Sequence, residues 1–220
     1  MARQQRLGFR PRPGYAAEDF VMGTSNADAL AAIHAWPRWH GGCLVLLGSE
    51  GVGKTHLARI WAESARAVDL DRLAPDLAAI QDSPVLLEDA DQGVEDETLF
   101  HLINLAARDG AGLLITAREP PRTWACTLPD LHSRLAALPV VTIGTPDDDV
   151  LEGALRKLFR ERSIRAPRDL YPYLLTRMER SIPAARELVR RLDEDSRPIT
   201  RSLAKTLLDD GMENIDLFEG

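Results

Sequence analysis

The clearest chemistry in this chain belongs to residues 48–55, which read GSEGVGKT. They complete the pattern G-x-x-x-x-G-K-S/T, in which glycines let backbone N–H groups surround phosphate oxygens. Lys54 supplies a point charge for the outer phosphates, and the Thr55 hydroxyl suits Mg²⁺. The pattern predicts a nucleotide-binding loop, and the residues assigned to the nucleotide are Gly48, Gly51, Val52, Gly53, Lys54, Thr55 and His56.

The sequence on either side supplies the context that this loop requires. Residues 43–47 form an apolar run of strand length, and residues 56–62 follow with helical periodicity. Phosphates in the loop would then lie at a helix N-terminus, where unpaired N–H groups and the helix dipole favour anions.

Two acids after a second apolar run are candidates for the other half of the site. Glu88 and Asp89 follow residues 85–87, and such a strand end can hold Mg²⁺ and orient water. Their order is the inverse of the usual Asp-Glu. Either Glu88 holds the metal with Asp89 behind it, or Asp89 holds the metal and Ala90 leaves the base position empty. Both registers predict altered, weak hydrolysis; the alternative is that the acids merely cap a loop.

Two arginines are candidates for contact with phosphate. Arg134 lies between the fourth and fifth predicted strands, where a guanidinium presented to a neighbour's γ-phosphate would act as an arginine finger. Arg186 shares the apolar stripe of a predicted helix, so it needs a partner, and a nucleotide phosphate is one candidate. The alternatives are an ordinary surface charge at Arg134 and an Arg186 that reaches water along its own stem.

Strand signals alternate with helical patterns through the first two thirds of the chain, which predicts an α/β fold with a parallel sheet and helices on both faces. After Pro146 the strand signal ends and four helical segments follow. The strand signals are at 43–47, 67–70, 85–87, 113–116 and 140–143, and helices include 26–34, 72–80 and 97–108. The predicted units are a flexible arm (1–14), a nucleotide-binding core (15–146), a helical lid (147–210) and an acidic tail (211–220).

Composition narrows the class of protein. The 220-residue chain has a formal net charge of −7 and no basic stripe, so it is a poor autonomous DNA binder. It has no apolar run of membrane-spanning length and no signal-peptide pattern, which predicts a cytoplasmic protein without a membrane partner. Cys43 and Cys126 match no metal spacing.

With these motifs in order, the chain resembles the AAA+ family, and within it the DnaA initiators and their shortened Hda relatives, in the alphaproteobacterial, HdaA-like form. The resemblance covers about residues 18–208. Residues 18–26 are similar to the initiators' N-terminal nucleotide motif, which implies that Val21 and Met22 line the adenine. Residues 53–57, GKTHL, are typical of the same group.

Three later motifs complete the resemblance. Residues 131–135 match box VII, which implies that Arg134 is the arginine finger. Residues 182–188 match sensor 2, with Arg186 as its arginine. Residues 114–121 look like the sensor-1 strand end, although Arg118 stands where the family has an acid.

The N-terminal arm then acquires a partner. Residues 4–9, QQRLGF, look like the Q-x-x-L-x-L/F peptide by which proteins dock on the DNA polymerase sliding clamp. In that peptide the amide of Gln4 would form hydrogen bonds, and Leu7 and Phe9 would fill an apolar pocket.

The resemblance implies a regulator that binds ADP or ATP with Mg²⁺, docks on the clamp and inactivates DnaA by presenting Arg134 to DnaA-bound ATP. Arg134, Glu88 and Asp89 are the expected catalytic residues, and Thr55 and Glu88 the expected metal ligands. The initiators' C-terminal helix-turn-helix does not follow the lid, so sequence-specific DNA binding is not expected. The alternative is an autonomous AAA+ ATPase, such as a helicase loader, that acts through self-association.

Overall fold

The computed structural model describes residues 15–216 except 74, 76, 78, 79, 81, 82, 109, 110 and 196, with side chains as far as Asp209. The strands in this part of the chain are β1 (Cys43–Leu47), β2 (Val68–Leu70), β3 (Val85–Leu87), β4 (Leu113–Ala117) and β5 (Val140–Thr142). The α-helices are α1 (Ala27–His34), α2 (Lys54–Ala65), α3 (Asp96–Ala106), α4 (Pro129–Ala137), α5 (Asp148–Glu161), α6 (Leu170–Leu175), α7 (Ile182–Glu194) and α8 (Arg201–Asp216).

The five strands form one parallel sheet in the order β2-β3-β4-β1-β5. Leu47 at the end of β1 pairs with Ala117 of β4 on one side and Thr142 of β5 on the other. Because all strands run in one direction, the loops after β1, β3 and β4 meet at the same edge. The predicted α/β class is confirmed, and this edge carries the residues with candidate chemistry.

Helices cover both faces of the sheet because the central strands are apolar on both sides. Val45 of β1 faces a layer formed by α3 and α4 and packs in a cluster with Leu102 and Leu131. Its neighbour Leu46 faces the opposite layer, formed by α1 and α2, in a cluster that includes Trp61. Successive residues therefore serve different layers, as the twofold periodicity of a strand requires.

Helices α5 to α8 enclose a separate apolar cluster, in which Leu155, Phe159, Leu174 and Leu188 are almost completely buried. Side-chain oxygens cap α5, α7 and α8. Asp147 accepts a hydrogen bond from the backbone N–H of Val150 at 2.9 Å, and Ser181 caps α7 in the same way. Each cap satisfies an N–H group that has no partner within its helix.

The helix predicted at residues 72–80 is wrong for the described residues, which form bends and turns. Pro75 lacks a backbone N–H and disfavours a helical preceding residue, while Asp71 accepts a hydrogen bond from the N–H of Leu73 in a local turn. At the other end of the chain, α8 is longer than the predicted segment 203–208.

Candidate nucleotide-binding site

The loop between β1 and α2 has the backbone that a phosphate-binding loop needs. Gly51 and Gly53 have φ angles of 74° and 107°, which residues with a Cβ rarely adopt. Gly53 immediately precedes Lys54, the first residue of α2. The N-terminus of α2 therefore opens on this loop, where its unpaired N–H groups can meet an anion.

Lys54 folds back over the loop and is only 6% exposed. Its Nζ donates hydrogen bonds to the carbonyl oxygens of Gly48 at 2.6 Å and Ser49 at 2.9 Å. Burial lowers the pKa of Lys54, and Arg118 acts in the same direction, whereas Asp89 and two other acids raise it. The Lys54 ammonium therefore lies near charged groups of both signs.

Glu88, which follows β3, forms an ion pair with Arg59 of helix α2. Its Oε2 accepts a hydrogen bond from Arg59 at 2.7 Å, and Arg59 also pairs with Asp69. Arg59 follows Thr55 by four residues, about one helical turn, so the two lie on the same face of α2. The second oxygen of Glu88, Oε1, is buried and has no hydrogen-bond partner among the described residues.

This free carboxylate oxygen and the Thr55 hydroxyl are hard oxygen donors of the kind that Mg²⁺ prefers, so these residues fit the metal. In the part of the chain that the structure describes, no three His, Cys, Asp or Glu side chains converge as a metal site.

Asp89 adopts a left-handed backbone conformation, with φ 50°. Its N–H donates to the hydroxyl of Thr116, on the neighbouring strand, at 2.9 Å. Asp89 is also the acid that most strongly raises the pKa of Lys54. The two acids therefore have different electrostatic partners: Glu88 is paired with Arg59, whereas the charge of Asp89 favours the protonated form of Lys54.

Arg118 is an addition to the predicted site. It follows Ala117, whose carbonyl oxygen accepts a hydrogen bond from the N–H of Gly48 at 3.2 Å. Its Nη1 lies 2.8 Å from Oε2 of Glu50, inside the phosphate-binding loop. The Asp91 carboxylate holds its backbone by accepting the N–H of Arg118 at 2.9 Å. The pairing joins positions 68 residues apart, so sequence periodicity could not reveal it.

The segment before α1 borders the site beside His56. The His56 ring makes edge contacts with Tyr15 and Phe20, at centroid distances of 5.7 and 5.4 Å. Its Nε2 lies 3.1 Å from the carbonyl oxygen of Ala16, and burial lowers its pKa. His56 thus contacts the segment that leads to Val21, for which the resemblance to the initiators implies contact with the adenine.

Val21 and Met22 have different environments. Asn26 holds this segment, because its amide donates to the Val21 carbonyl oxygen at 2.9 Å and accepts from the N–H of Gly23 at 3.0 Å. The Val21 side chain packs so closely on α5 that a Cβ at Gly153 would lie 2.5 Å from it. Met22 is 64% exposed.

The lid meets the loop at the start of α7. The N–H of Ile182 lies 3.3 Å from the carbonyl oxygen of Gly51, and Pro183 packs against the same glycine. Arg186 follows Pro183 by three residues, so it lies on the same side of α7, and its side chain is exposed. The sequence placed Arg186 in the apolar stripe of its helix, but in the structure the side chain is exposed and not buried.

Arg134 lies on α4, in the helical layer that also contains α3. Its side chain is exposed, and its guanidinium carbon lies 5.0 Å from the centroid of the Phe100 ring. Such a cation–π contact restricts a guanidinium without burying it. The predicted clamp-binding residues Gln4, Leu7 and Phe9 lie outside the described residues.

Asp147 connects the lid to the segment before α1, a role that the sequence did not indicate. Its carboxylate accepts hydrogen bonds at 2.9 Å from the N–H of Ser25 and the hydroxyl of Thr24, besides capping α5. Burial raises the pKa of Asp147, but these hydrogen bonds outweigh that effect and bring it down to about 2. An Asp just before a predicted helix signals a cap, but not its distant partners.

Comparison with known proteins shows similarity to replication initiators. No family model matches the chain. It is 24% identical to chromosomal replication initiator protein DnaA of Cutibacterium acnes, over 92% of the chain and 47% of that protein. It is 28% identical to DnaA of Crocosphaera subtropica, over 74% of the chain and 43% of that protein. The chain spans less than half the length of these two relatives.

Solved structures show the same fold. Domain III of the Thermotoga maritima replication initiation protein DnaA aligns with a TM-score of 0.73 at 21% identity, covering 90% of this chain and 97% of that one. Replication initiator DnaA bound to AMPPCP and single-stranded DNA aligns with a TM-score of 0.70 at 18% identity, covering 94% of this chain and 73% of that one.

The chain therefore has an AAA+ fold with a phosphate-binding loop motif. Within that class the chain has a DnaA-like fold, with homology to domain III of DnaA. None of the helices in residues 15–216, as far as they are described, is both long and apolar enough to cross a membrane.

Proposed function

We propose that this protein is a regulatory inactivator of DnaA that stimulates hydrolysis of DnaA-bound ATP through Arg134, acting in trans, while docked on the sliding clamp. The observation that carries the proposal is the position of Arg134. It is exposed on α4 and supported by Phe100, whereas Lys54 and the start of α7 meet at the phosphate-binding loop. Arg134 is thus available to a nucleotide held by another protein.

The protein's own nucleotide, ADP or ATP, binds at the loop of residues 48–55. The loop N–H groups and Lys54 would hold its phosphates, Val21, Met22 and His56 would contact the base, and Arg186 would approach from the lid. Mg²⁺ would be held by Thr55 and by Oε1 of Glu88, and it supplies charge neutralisation to the phosphates. The support is the free, buried Oε1 and the hard oxygen chemistry of both donors.

A regulator of another protein's ATPase agrees better with this site than an efficient autonomous ATPase. Glu88 is already paired with Arg59 at 2.7 Å, and Asp89 lies in a left-handed turn. The inverted order of these acids departs from the usual arrangement in which a carboxylate orients the attacking water. We expect weak hydrolysis by the protein alone, with Asp89 as the remaining candidate base.

The test is single-turnover hydrolysis of ATP preloaded on DnaA, with clamp and DNA present. Arg134→Ala should fold and bind nucleotide, yet reduce the stimulated rate by about 10³-fold or more, the range of arginine fingers. Arg168→Ala, which removes an exposed arginine from the lid, is the charge-matched control. Full stimulation by Arg134→Ala would refute the trans mechanism, and hydrolysis without DnaA or clamp would favour an autonomous ATPase.

Clamp docking is a separate part of the proposal and has its own test. Removal of residues 1–9 should abolish binding to the clamp and leave nucleotide binding intact, because a short basic arm bounded by prolines adds little to the core. Substitution of Gln4, Leu7 and Phe9 by Ala should reproduce the loss, whereas Gln5→Ala should not. Undiminished clamp binding by the shortened protein would exclude the peptide.

A further inference from the structure

Glu50 and Arg118 form an ion pair at the mouth of the phosphate-binding loop. Arg118 Nη1 lies 2.8 Å from Glu50 Oε2, and the side chains are 40% and 71% exposed. Glu50 occupies a variable position of the loop pattern, between Gly48 and Gly51. Neither residue is required by the pattern itself, so their meeting is a property of this chain.

The strand pairing brings Arg118 to the loop. Ala117 pairs with Leu47, the last residue of β1, and the Ala117 carbonyl oxygen accepts the N–H of Gly48 at 3.2 Å. Arg118 is therefore one residue beyond the point where β4 is bonded to the loop. Both Glu50 and Arg118 act on the buried ammonium of Lys54, together with Asp89 and Asp91, so all five charges lie in one electrostatic neighbourhood.

An exposed ion pair of this kind is weak, because water screens the two charges. A phosphate group is a stronger partner for a guanidinium, because it accepts two charge-assisted hydrogen bonds. A nucleoside triphosphate adds a terminal phosphate beyond those that the loop N–H groups surround, on the side of the outer phosphates that Lys54 serves. Arg118 can then exchange the carboxylate of Glu50 for that phosphate, whereas a diphosphate offers no such replacement.

We infer that Glu50 sets the nucleotide preference of this site, by holding Arg118 away from the terminal phosphate of a triphosphate. The pair persists with a diphosphate and must open for a triphosphate, and the released carboxylate then adds negative charge beside the phosphates. Both effects lower the affinity for a triphosphate relative to a diphosphate. This inference rests on the proposed nucleotide binding and adds a specificity-determining residue to it.

The experiment compares the affinities for AMPPCP and ADP, each with Mg²⁺, by calorimetric titration of the full chain. Glu50→Gln should raise the AMPPCP-to-ADP affinity ratio by about three- to tenfold. Arg118→Gln should lower this ratio, and in the Glu50→Gln, Arg118→Gln double variant most of the gain should vanish. Glu119→Gln, which removes the exposed acid next to Arg118, is the control and should leave the ratio unchanged.

Two results would overturn the inference. One is an unchanged ratio in Glu50→Gln, and the other is a gain that persists undiminished in the double variant, since Glu50 would then act without Arg118. Both side chains are well exposed, so the variants should fold, as thermal unfolding will show. If the wild-type protein binds neither nucleotide, the proposed function itself fails; if it binds both and the ratio is insensitive, only this inference fails.

Discussion

The backbone N–H of Ile182 lies 3.3 Å from the carbonyl oxygen of Gly51, so helix α7 of the lid begins on the phosphate-binding loop. Pro183 is packed so closely there that a Cβ on Gly51 would lie 2.2 Å from its Cδ. The glycine therefore has two functions: its φ of 74° shapes the loop, and its missing side chain admits the lid.

Gly51→Ala should weaken nucleotide binding by at least tenfold, because the new methyl group displaces the lid and strains the loop. The strain alone costs about 1 kcal/mol. Gly41→Ala is the control for the stability cost of a positive φ outside the loop: Gly41 has a φ of 61°, and a Cβ at this position would have no neighbour within 4 Å. It should lose a similar stability in urea unfolding and keep its affinity for ADP. Equal affinities in both variants would contradict the lid contact.

Lys54→Ala should abolish nucleotide binding, because the loop loses its buried cation. In the wild-type protein, ADP at about 100 times its Kd should stabilise the fold by about 2.7 kcal/mol, which raises the Tm by roughly 5–10 °C. The Tm of Lys54→Ala should not respond to ADP. Lys205→Ala, at an exposed position of α8, should respond as the wild type does, and an equal response in Lys54→Ala would exclude the predicted role.

Phe100 should matter to the proposed stimulation of DnaA because it lies 5.0 Å from the Arg134 guanidinium. An exposed cation–π contact contributes about 0.5–1 kcal/mol, so Phe100→Leu should reduce stimulated hydrolysis by roughly two- to fivefold. Phe100→Tyr keeps the aromatic face and should restore the rate. A loss as large in the tyrosine variant as in the leucine variant would assign Phe100 a packing role instead.

Asp147 should make the fold sensitive to acid. Its pKa in the folded protein, about 2, lies below the ordinary value of 3.8, so its ionised form favours folding above pH 4. That contribution, about 1 kcal/mol after allowance for solvent screening, is lost as the pH falls from 4 towards 2. Asparagine still caps helices but lacks the charge.

The measurement is urea unfolding of Asp147→Asn and the wild type at pH 6 and pH 2.5. The variant should be less stable at pH 6, and the difference should shrink at the lower pH. Asp149→Asn, which removes an exposed carboxylate from the first turn of the same helix, should show little difference at either pH. A stability gap for Asp147→Asn that does not depend on pH would contradict the charge-based account.

The sequence by itself determined the features that depend on neighbouring residues. The loop glycines, Lys54 and Thr55 are recognisable from spacing alone because the loop wraps phosphate with consecutive backbone N–H groups. The runs that became β1, β3 and β4 are apolar except for Thr116 because those strands are covered on both faces. The helix predicted at 72–80 is wrong for the residues that the structure describes there, because Pro75 and a turn at Asp71 outweigh the apolar spacing.

Only the tertiary structure decided which distant residues meet. Glu50 pairs with Arg118, Arg59 with Glu88, and Ser25 with Asp147, at separations of 68, 29 and 122 residues. These contacts depend on the strand order β2-β3-β4-β1-β5 and on the position of the lid. The spacing of apolar residues along the sequence specifies neither of them. A side chain's charge can be read from the chain, but its partner is set by packing.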